Sequence, residues 1–494
     1  MSGCLYHNAL SVAKVLVGKT EPIAEIGLKL AGVTRTIAPE QLARLLAVPA
    51  GARPYYRALA EALRGRMHDG AIPVGVRLPA ERHLAAALGV SRTTVTAAYD
   101  LLKDHGYVTA RQGSGSTTAL PVGGDTPWTI PIPGDGMIPL HVASMPAASQ
   151  VAPAVAAAAA SYHRHLLGIG YEPVGLPVLR EEVARRYTER GVATRPEQIL
   201  ITPGAQQAMH LLFALLVRPG DPVLLESPTY AHAIQSVRLH GARVVAAGEL
   251  MESSLRQAKV AYVLPDFHNP TGTLMDAARR AALVAAARRH DVTLICDETW
   301  GEVAVDDVVM PPPLARWDTD NRVITIGSAS KLWWGGLRVG WLRGTAELVE
   351  RLSVLRSGVD LATAVFDQLV VAELFPRVEE SRAERRAWLA TSRDALTAAL
   401  AEHLPGWTYP RPVGGGSIWA KLDVPSAAPV VQAAAANGVR LAPGRWFGVD
   451  GACEGYLRLS YCHPPHMLAD AVARIAAARP GQAPPADTRL TLSL

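Results

Sequence analysis

The sequence has 494 residues and a formal net charge of +5, with 49% hydrophobic and 19% charged residues. This length exceeds one hydrophobic core and predicts about three domains at ~150 residues each, and the composition excludes an intrinsically disordered chain. No apolar run reaches the roughly 20 residues of a membrane-spanning helix. The four cysteines have neither a disulfide pattern nor a metal-ligand spacing, so we expect a cytoplasmic protein without a metal site or a membrane partner.

The first segments of the chain differ in character. Residues 1–32 match no later pattern and form an extension of undetermined role. TRTIAPEQLARLL (34–46) predicts a helix, because Pro39 suits a first helical turn. Residues 53–111 hold nine Lys or Arg against five Asp or Glu. Most of the positive excess of the chain therefore lies in one short stretch, which favours contact with a polyanion.

Residues 54–118 predict three helices followed by a β-hairpin. The first helix is marked by apolar side chains at helical spacing, Tyr56, Leu59, Leu63 and Met67. Pro79 precedes a second helix, and Gly89 makes a tight turn before a third. YVTARQGSGSTT (107–118) predicts a strand, a glycine turn and a strand. This order is typical of a winged helix-turn-helix.

Short hydrogen-bond donors cluster at the start of the third helix, in SRTT (91–94). Arginine can bind guanine or phosphate bidentately, and hydroxyl groups reach phosphate oxygens. The alternative is a serine that only caps a surface helix. The ordered pattern RLPAERHLA, LGVSRTTV, AY and a wing glycine resembles the GntR-family DNA-binding domain. The resemblance implies contacts with double-stranded DNA at Arg82, Ser91, Arg92, Thr93, Thr94 and Gly113. Thr96 departs from the arginine that some members carry.

The remaining chain has a different composition. Residues 119–140 are rich in Pro and Gly, which predicts an extended linker. Residues 141–480 alternate apolar runs (ILITPG, PVLLESP, AYVLPDF, VTLICDE, RVITIGS) with Ala/Arg-rich helical segments. This alternation predicts βαβ units and a mostly parallel sheet.

Lys331 follows a β-like run and a small-residue turn in GSASKLWWGGLRVGW (327–341). A lysine here can form a Schiff base with an aldehyde cofactor, and a solvated surface lysine is the alternative. Pyridoxal phosphate also requires an acid at its pyridine nitrogen, a donor to its phenolic oxygen and a phosphate site. Asp297, after a strand, and Asn269, in HNPTG, can supply the first two. A turn-capping aspartate and an ordinary turn are the alternatives.

A candidate phosphate site lies in TPGAQQA (202–208), where a helix begins. Its first amides, at Gly204 and Ala205, can hold a phosphate. Ser328 and Arg338 can complete the site, and Tyr230 in ESPTY can stack on the cofactor ring.

The order and spacing of these motifs resemble the fold type I aminotransferases over residues 171–462. The motifs are YEPVGLPVLR, TPGAQQA, ESPTY, HNPTG, DE, SASK, GGLRVGW and YLRLSY. The resemblance implies that Lys331 carries pyridoxal phosphate and that Asp297 and Asn269 hold its ring. It also implies that Arg458 in YLRLSY binds the carboxylate of an amino acid, where the alternative is a strand-edge arginine paired with a surface acid.

Two positions depart from that pattern. Thr299 and Trp300 stand where many members carry a tyrosine, and neither side chain gives the phenolic hydrogen bond. Beside the lysine, Trp333 and Trp334 either line a ligand pocket or pack in the core. The core is the favoured prediction, because large aromatic side chains are usually buried.

Together the segments over residues 33–480 resemble the MocR subfamily of GntR-type bacterial regulators. The resemblance implies an α/β chain with an N-terminal winged helix-turn-helix and a pyridoxal-phosphate-dependent transferase fold. That fold has a three-layer αβα large domain and a smaller C-terminal α+β domain at about 370–480. It implies a homodimer, in which Tyr171 reaches the phosphate site of the partner, and a regulator that binds operator DNA and senses an amine or amino acid effector. An active aminotransferase with a fused DNA-binding domain, and a sensor of the cofactor alone, are the alternatives.

Overall fold

The computed structural model describes residues 36–46, 53–68, 72, 76–104, 107–111, 115–118, 136–247 and 251–478. They fall into two compact units, one within residues 1–126 and the other within residues 127–494. The extension 1–32, Gly113 and most of the predicted linker lie outside the described residues.

The N-terminal unit consists of helices and a hairpin, with α1 Pro39–Leu45, α2 Tyr55–His68, α3 Glu81–Leu88, α4 Arg92–Asp104, β1 Val108–Arg111 and β2 Gly115–Thr118. Gly89 ends α3 in the left-handed region, with φ 66°, which a residue without Cβ adopts readily. The chain then turns directly into α4. The two strands pair antiparallel, so the structure confirms the predicted winged helix-turn-helix.

One hydrophobic core holds this unit together. Its buried side chains include Leu42, Leu59, Leu63, Leu84, Val95, Tyr99 and Leu102. Tyr99 also donates a hydrogen bond from its hydroxyl to the carbonyl of Pro79, at 3.1 Å, which ties α4 to the segment before α3. Leu42 belongs to α1, so the unit begins before residue 54, where the sequence prediction starts it.

The second unit alternates strands and helices through its first half. These elements are β3 Ile138–Pro139, α5 Val151–Tyr162, α6 Pro177–Glu189, β4 Ile199–Thr202, α7 Ala205–Leu216, β5 Pro222–Glu226, α8 Ala231–Leu239, β6 Arg243–Ala247, α9 Met251–Ser254, β7 Val260–Val263, α10 Ala277–Arg289, β8 Thr293–Asp297, β9 Val323–Ser328 and β10 Gly340–Arg343. Helix starts carry local signals, such as the Asp276 side chain that accepts from the amide of Arg279 before α10.

The second half is mainly helical. Its elements are α11 Ala346–Arg356, α12 Val365–Leu374, α13 Val378–His403, β11 Ser417–Lys421, α14 Ala428–Ala436, β12 Val439–Arg440, β13 Ala442–Pro443, β14 Tyr456–Ser460 and α15 Pro465–Ala477. None of the described helices is both long enough and apolar enough to cross a membrane.

A seven-stranded sheet in the order β4-β10-β9-β8-β7-β5-β6 is the centre of this unit. Only β10 runs antiparallel to its neighbours within the described sheet. Helices α5, α6, α10 and α12 cover one face, and α7, α8 and α11 cover the other. Burial on both faces explains why the strands are continuous apolar runs. The arrangement confirms the predicted three-layer large domain.

A small subdomain, residues 138–145 and 378–478, packs around a separate core. Its antiparallel sheet has the order β11-β14-β13, and β3 pairs in parallel with β12. The predicted range of about 370–480 omits residues 138–145. Strand β3 is only two residues long and lies in what reads as a Pro- and Gly-rich linker, so its sequence carries no strand pattern.

Candidate functional site

The carboxyl ends of the parallel strands meet along one edge of the large sheet, where open α/β sheets bind ligands. Asp297 ends β8 and Ser328 ends β9. Lys331 follows shortly, while Asn269 and Tyr230 lie in loops after β7 and β5. A cavity of about 440 Å³ opens at this edge. Its lining includes Ala205, Tyr230, Asn269, Asp297, Trp300, Ser328, Lys331, Arg338 and Arg458.

The side-chain amine of Lys331 lies inside this cavity. It donates a hydrogen bond to the carbonyl of Ala143, at 2.7 Å, and lies 4.7 Å from the centre of the Trp300 ring. Burial lowers the pKa of the amine to about 8, so the neutral, nucleophilic form is more available than for a solvated lysine. The charged and titratable groups that act on it are Cys462, Arg458, Asp297 and Arg338.

Asp297 is a buried carboxyl group that faces the same cavity. It accepts hydrogen bonds from the hydroxyl of Tyr262, at 2.5 Å, and from the amide of Thr299, at 2.9 Å. Burial raises its pKa above the usual value. A buried carboxylate is stabilised by a cationic partner, and the protonated pyridine of the predicted cofactor is such a partner. The bond from the Thr299 amide is the turn-capping bond of the alternative interpretation. Asp297 therefore both caps a turn and faces the cavity.

Arg458 and Asn269 form one hydrogen-bonded pair across the cavity. Arg458 is 1% exposed and donates to Oδ1 of Asn269, at 3.2 Å, and to the carbonyl of His141. Because the Oδ1 of Asn269 accepts this bond, its Nδ2 is the group that can donate to a cofactor oxygen. Burial lowers the pKa of Arg458 to about 10, so it remains a cation near neutral pH. Its burial rules out the predicted alternative of a strand-edge arginine paired with a surface acid.

A cradle for an anion lies at the start of α7. Gly204 has φ 86°, and a Cβ built there would lie 2.7 Å from Nη2 of Arg338. Arg338 donates to the carbonyl of Pro203, at 3.0 Å, which keeps its charge beside the first amides of the helix. Ser328 accepts from the amide of Ser330, at 3.1 Å. Helix amides, a cation and a hydroxyl are the groups that can bind a phosphate.

Tyr230 faces the cavity, whereas Tyr171 does not line it. Nδ1 of His232 lies 2.7 Å from the Tyr230 hydroxyl, which fixes the direction of the phenol ring. Burial lowers the pKa of His232 to about 4, so this imidazole is neutral. Tyr171 is 58% exposed on the surface of the chain. The buried acid, the amide donor, the anion cradle and the amine fit the four requirements of pyridoxal phosphate.

Five of the six predicted DNA contacts lie on, or directly before, two neighbouring helices, and the sixth, Gly113, lies outside the described residues. Ser91, Arg92 and Thr93 are exposed at the start of α4, and Thr94 is half-buried. The Ser91 hydroxyl accepts from the amide of Thr94, at 3.2 Å, so Ser91 does cap the helix. Arg82 is exposed on α3. Thr96 is half-buried, and its hydroxyl donates to the carbonyl of Arg92, at 3.1 Å. The donor of Thr96 is therefore bonded to its own helix.

Comparison with known families agrees with both units. Residues 136–475 match the family model "Aminotransferase class I and II". The chain belongs to this aminotransferase family. Residues 55–117 match "Bacterial regulatory proteins, gntR family". The fusion of these two domains matches the predicted MocR subfamily.

Known proteins are similar to this chain over most of their own length. An uncharacterised HTH-type transcriptional regulator of Bacillus subtilis, YdfD, is 27% identical, covering 83% of this chain and 93% of its own. The probable rhizopine catabolism regulatory protein MocR of Rhizobium meliloti is 27% identical over 72% and 78%. The solved structure of LysN, an α-aminoadipate aminotransferase of Thermus thermophilus complexed with N-(5'-phosphopyridoxyl)-L-leucine, has a TM-score of 0.64 at 30% identity. The match covers 70% of this chain and 92% of LysN.

Several residues of the aminotransferase site escape sequence reasoning. Ala143 contributes only its backbone carbonyl, which no side-chain pattern can indicate. Tyr262 reads as one more apolar residue of a buried strand. Its phenol lies on β7, which pairs with the strand that ends in Asp297, and a tyrosine at such a position could have indicated a hydrogen bond to the aspartate. Trp333 is buried, 1% exposed, as predicted. The prediction is wrong for Trp334, which is 42% exposed.

Proposed function

We propose that the protein is a transcriptional regulator that binds operator DNA through its N-terminal unit and binds an amine or amino acid at its cofactor site. The observation that carries this proposal is the Lys331 amine, which lies in one cavity with Asp297 and Arg458. An enzyme has no need of a gntR-type domain at residues 55–117. Binding to DNA also implies the predicted cytoplasmic location.

The cofactor of the proposed site is pyridoxal phosphate, whose aldehyde condenses reversibly with amines. Lys331 would attach it, because the lowered pKa of this amine favours the nucleophilic form. Asp297 would hold a proton on the ring nitrogen, and Asn269 would donate to the phenolic oxygen. The first amides of α7, with Arg338, would hold the phosphate.

The proposed effector is a primary amine that also carries a carboxylate. Arg458 supports this class, because a buried guanidinium beside the cofactor site can bind a carboxylate bidentately. Its bonds to Asn269 and to the carbonyl of His141 hold the guanidinium in place before the ligand arrives. A sensor of the cofactor alone would make no use of this cation.

The proposed assembly is a homodimer. The segment 166–171 exposes large apolar side chains, with Leu167 and Ile169 at 95% and 86% exposure, and such surfaces mark protein contacts. Tyr171, on the same segment, would reach the phosphate site of the partner. A dimer carries two DNA-binding units and would recognise two half-sites. Sedimentation at micromolar concentration tests this, and a monomeric mass would contradict it.

An active aminotransferase is the second candidate function. The site contains the residues that a first half-reaction needs, namely Lys331, Asp297, Asn269 and Arg458. Trp300 argues for the regulator, because an indole ring cannot donate the phenolic hydrogen bond expected at this position.

Absorption spectroscopy separates the candidates. The purified chain is reconstituted with pyridoxal phosphate, and amines and amino acids are added while the visible band is followed. Lys331→Ala is the control, since it cannot attach the cofactor. A stable spectral shift with one class of amine supports a ligand sensor. Conversion to pyridoxamine phosphate, reversed by a keto acid, indicates an aminotransferase. A spectrum that responds to no amine overturns the proposed function.

A further inference from the structure

The amine of Lys331 is held by two groups of the small subdomain core, although the lysine itself follows β9 of the large sheet. These groups are the carbonyl of Ala143, at 2.7 Å, and the ring of Trp300, whose centre is 4.7 Å away. Both residues belong to the small subdomain core. We call them the amine-binding pair.

The Ala143 side of the pair is anchored to the small subdomain by backbone hydrogen bonds. The amide of Ile138 donates to the carbonyl of Gly438, at 2.8 Å, and the amide of Ser460 donates to the carbonyl of Leu140, at 3.1 Å. Arg458 of β14 donates to the next carbonyl, that of His141. The segment that leads to Ala143 is therefore tied to the small subdomain up to His141.

The Trp300 side is anchored by packing. A Cβ built on Gly416 would lie 2.4 Å from the Trp300 ring and 2.7 Å from Sγ of Cys462. The backbone before β11 therefore approaches the indole as closely as only glycine permits. Trp300 has one ring face toward Lys331 and its outer edge against the small subdomain.

We propose that the amine-binding pair is the receptor for the released Lys331 amine and transmits effector binding to the small subdomain. The inference rests on the proposed function, in which an amine displaces the lysine. In that exchange the bond from Nζ to the cofactor carbon breaks as the incoming nitrogen forms its own. Two protons pass from the incoming amine to Nζ, and no redox partner is needed. Nζ takes one further proton from solvent, and the resulting ammonium returns to the carbonyl and the ring.

Tryptophan suits this role better than the tyrosine that the aminotransferase pattern predicts. The indole face attracts a cation more strongly than a phenol ring does, while its N–H is no substitute for a phenol hydroxyl beside the cofactor. This replacement weakens cofactor tuning and strengthens retention of the ammonium. That combination fits a site that detects an effector through release of Lys331.

The test uses the full-length protein reconstituted with pyridoxal phosphate, with aminooxyacetate as the probe. This compound joins a carboxylate to an amine that captures the aldehyde and releases the lysine. Absorbance records the capture. Hydrogen–deuterium exchange of peptides from β11 and β14 records the response of the small subdomain. The variants are Trp300→Leu, which removes the ring face, and Trp300→Phe, which keeps a weaker one. Trp407→Phe is the matched control, because Trp407 is as buried as Trp300, at 4%, and belongs to the same core.

In the wild type and in Trp407→Phe, we expect aminooxyacetate to change both the absorbance and the exchange rates, the latter by roughly fivefold or more. The variants are compared at aminooxyacetate concentrations at which the absorbance shows complete capture. There Trp300→Leu should show a clearly smaller exchange response than the wild type, and Trp300→Phe should restore part of it. A full exchange response in Trp300→Leu overturns the inference. If that variant does not fold, Gly416→Ala displaces the ring while keeping the indole, and the same outcomes apply. A wild type without an absorbance change overturns the proposed function itself, which separates the two failures.

Discussion

Replacing Gly204 by alanine tests the anion cradle, and the chain contains a matched control. Gly204 has φ 86°, and its Cβ would lie 2.7 Å from Nη2 of Arg338. Gly220 has φ 89° with no atom within 4 Å of a built Cβ. Both substitutions cost roughly 1–3 kcal/mol of backbone strain. Only the first one also displaces the guanidinium.

A hydrogen bond to a charged group contributes about 1.5–3 kcal/mol. Gly204→Ala should therefore weaken pyridoxal phosphate binding by roughly 10- to 150-fold, while Gly220→Ala should bind it like the wild type. Titration of the cofactor-free protein followed by absorbance measures both affinities, and thermal unfolding checks that the strain is comparable. Equal cofactor affinities for the two variants would refute the phosphate site. Such a result would mean that displacing the Arg338 guanidinium does not affect cofactor binding.

Three further predictions concern single side chains. The rate of cofactor capture by Lys331 should rise with pH and level off above about 8, because only the neutral amine reacts. Stopped-flow absorbance measures the rate, and a rise that continues to pH 10 contradicts the lowered pKa. Arg458→Gln should reduce the preference for L-alanine over ethylamine by roughly 10- to 150-fold, as measured by spectral titration. An unchanged preference would contradict the proposal that Arg458 binds the carboxylate. Arg92→Ala should weaken binding to a DNA site obtained by in vitro selection by about 1–3 kcal/mol at fixed salt, and an unaltered affinity rejects the proposed readout.

Sequence reasoning succeeds where local signals and strand order act together. Asp297 and Ser328 each follow an apolar run, and parallel strands bring such ends to one edge of the sheet. Gly204 precedes a helix and Ala205 begins it, so their amides can be assigned to an anion site before any tertiary structure is known. The candidate cofactor residues could therefore be named from motif order alone.

The small subdomain contacts could not be predicted in this way. Residues 138–140 read as the end of the linker, and their membership in the small subdomain core depends on pairing with β12, some 300 residues later. Trp300 reads only as a missing tyrosine, because its partner Gly416 is distant in sequence. Tyr171 remains a prediction, since its proposed role requires a second chain.

The energies of the amine-binding pair limit what effector binding can do through Lys331. A hydrogen bond from an ammonium contributes about 1.5–3 kcal/mol, and a desolvated cation–π contact about 0.5–2 kcal/mol. Their sum is an upper limit on the energy that effector binding can gain from the pair, because part of this energy is present whenever the lysine is free. An effector shifts a two-state equilibrium only by its differential affinity, typically ~1–3 kcal/mol, and the pair is large enough to supply this. An amine that changed DNA affinity by roughly 10⁴-fold would need about 5.5 kcal/mol. Such an effector would have to gain the excess from contacts of its own, and its carboxylate at Arg458 is the contact that the structure offers.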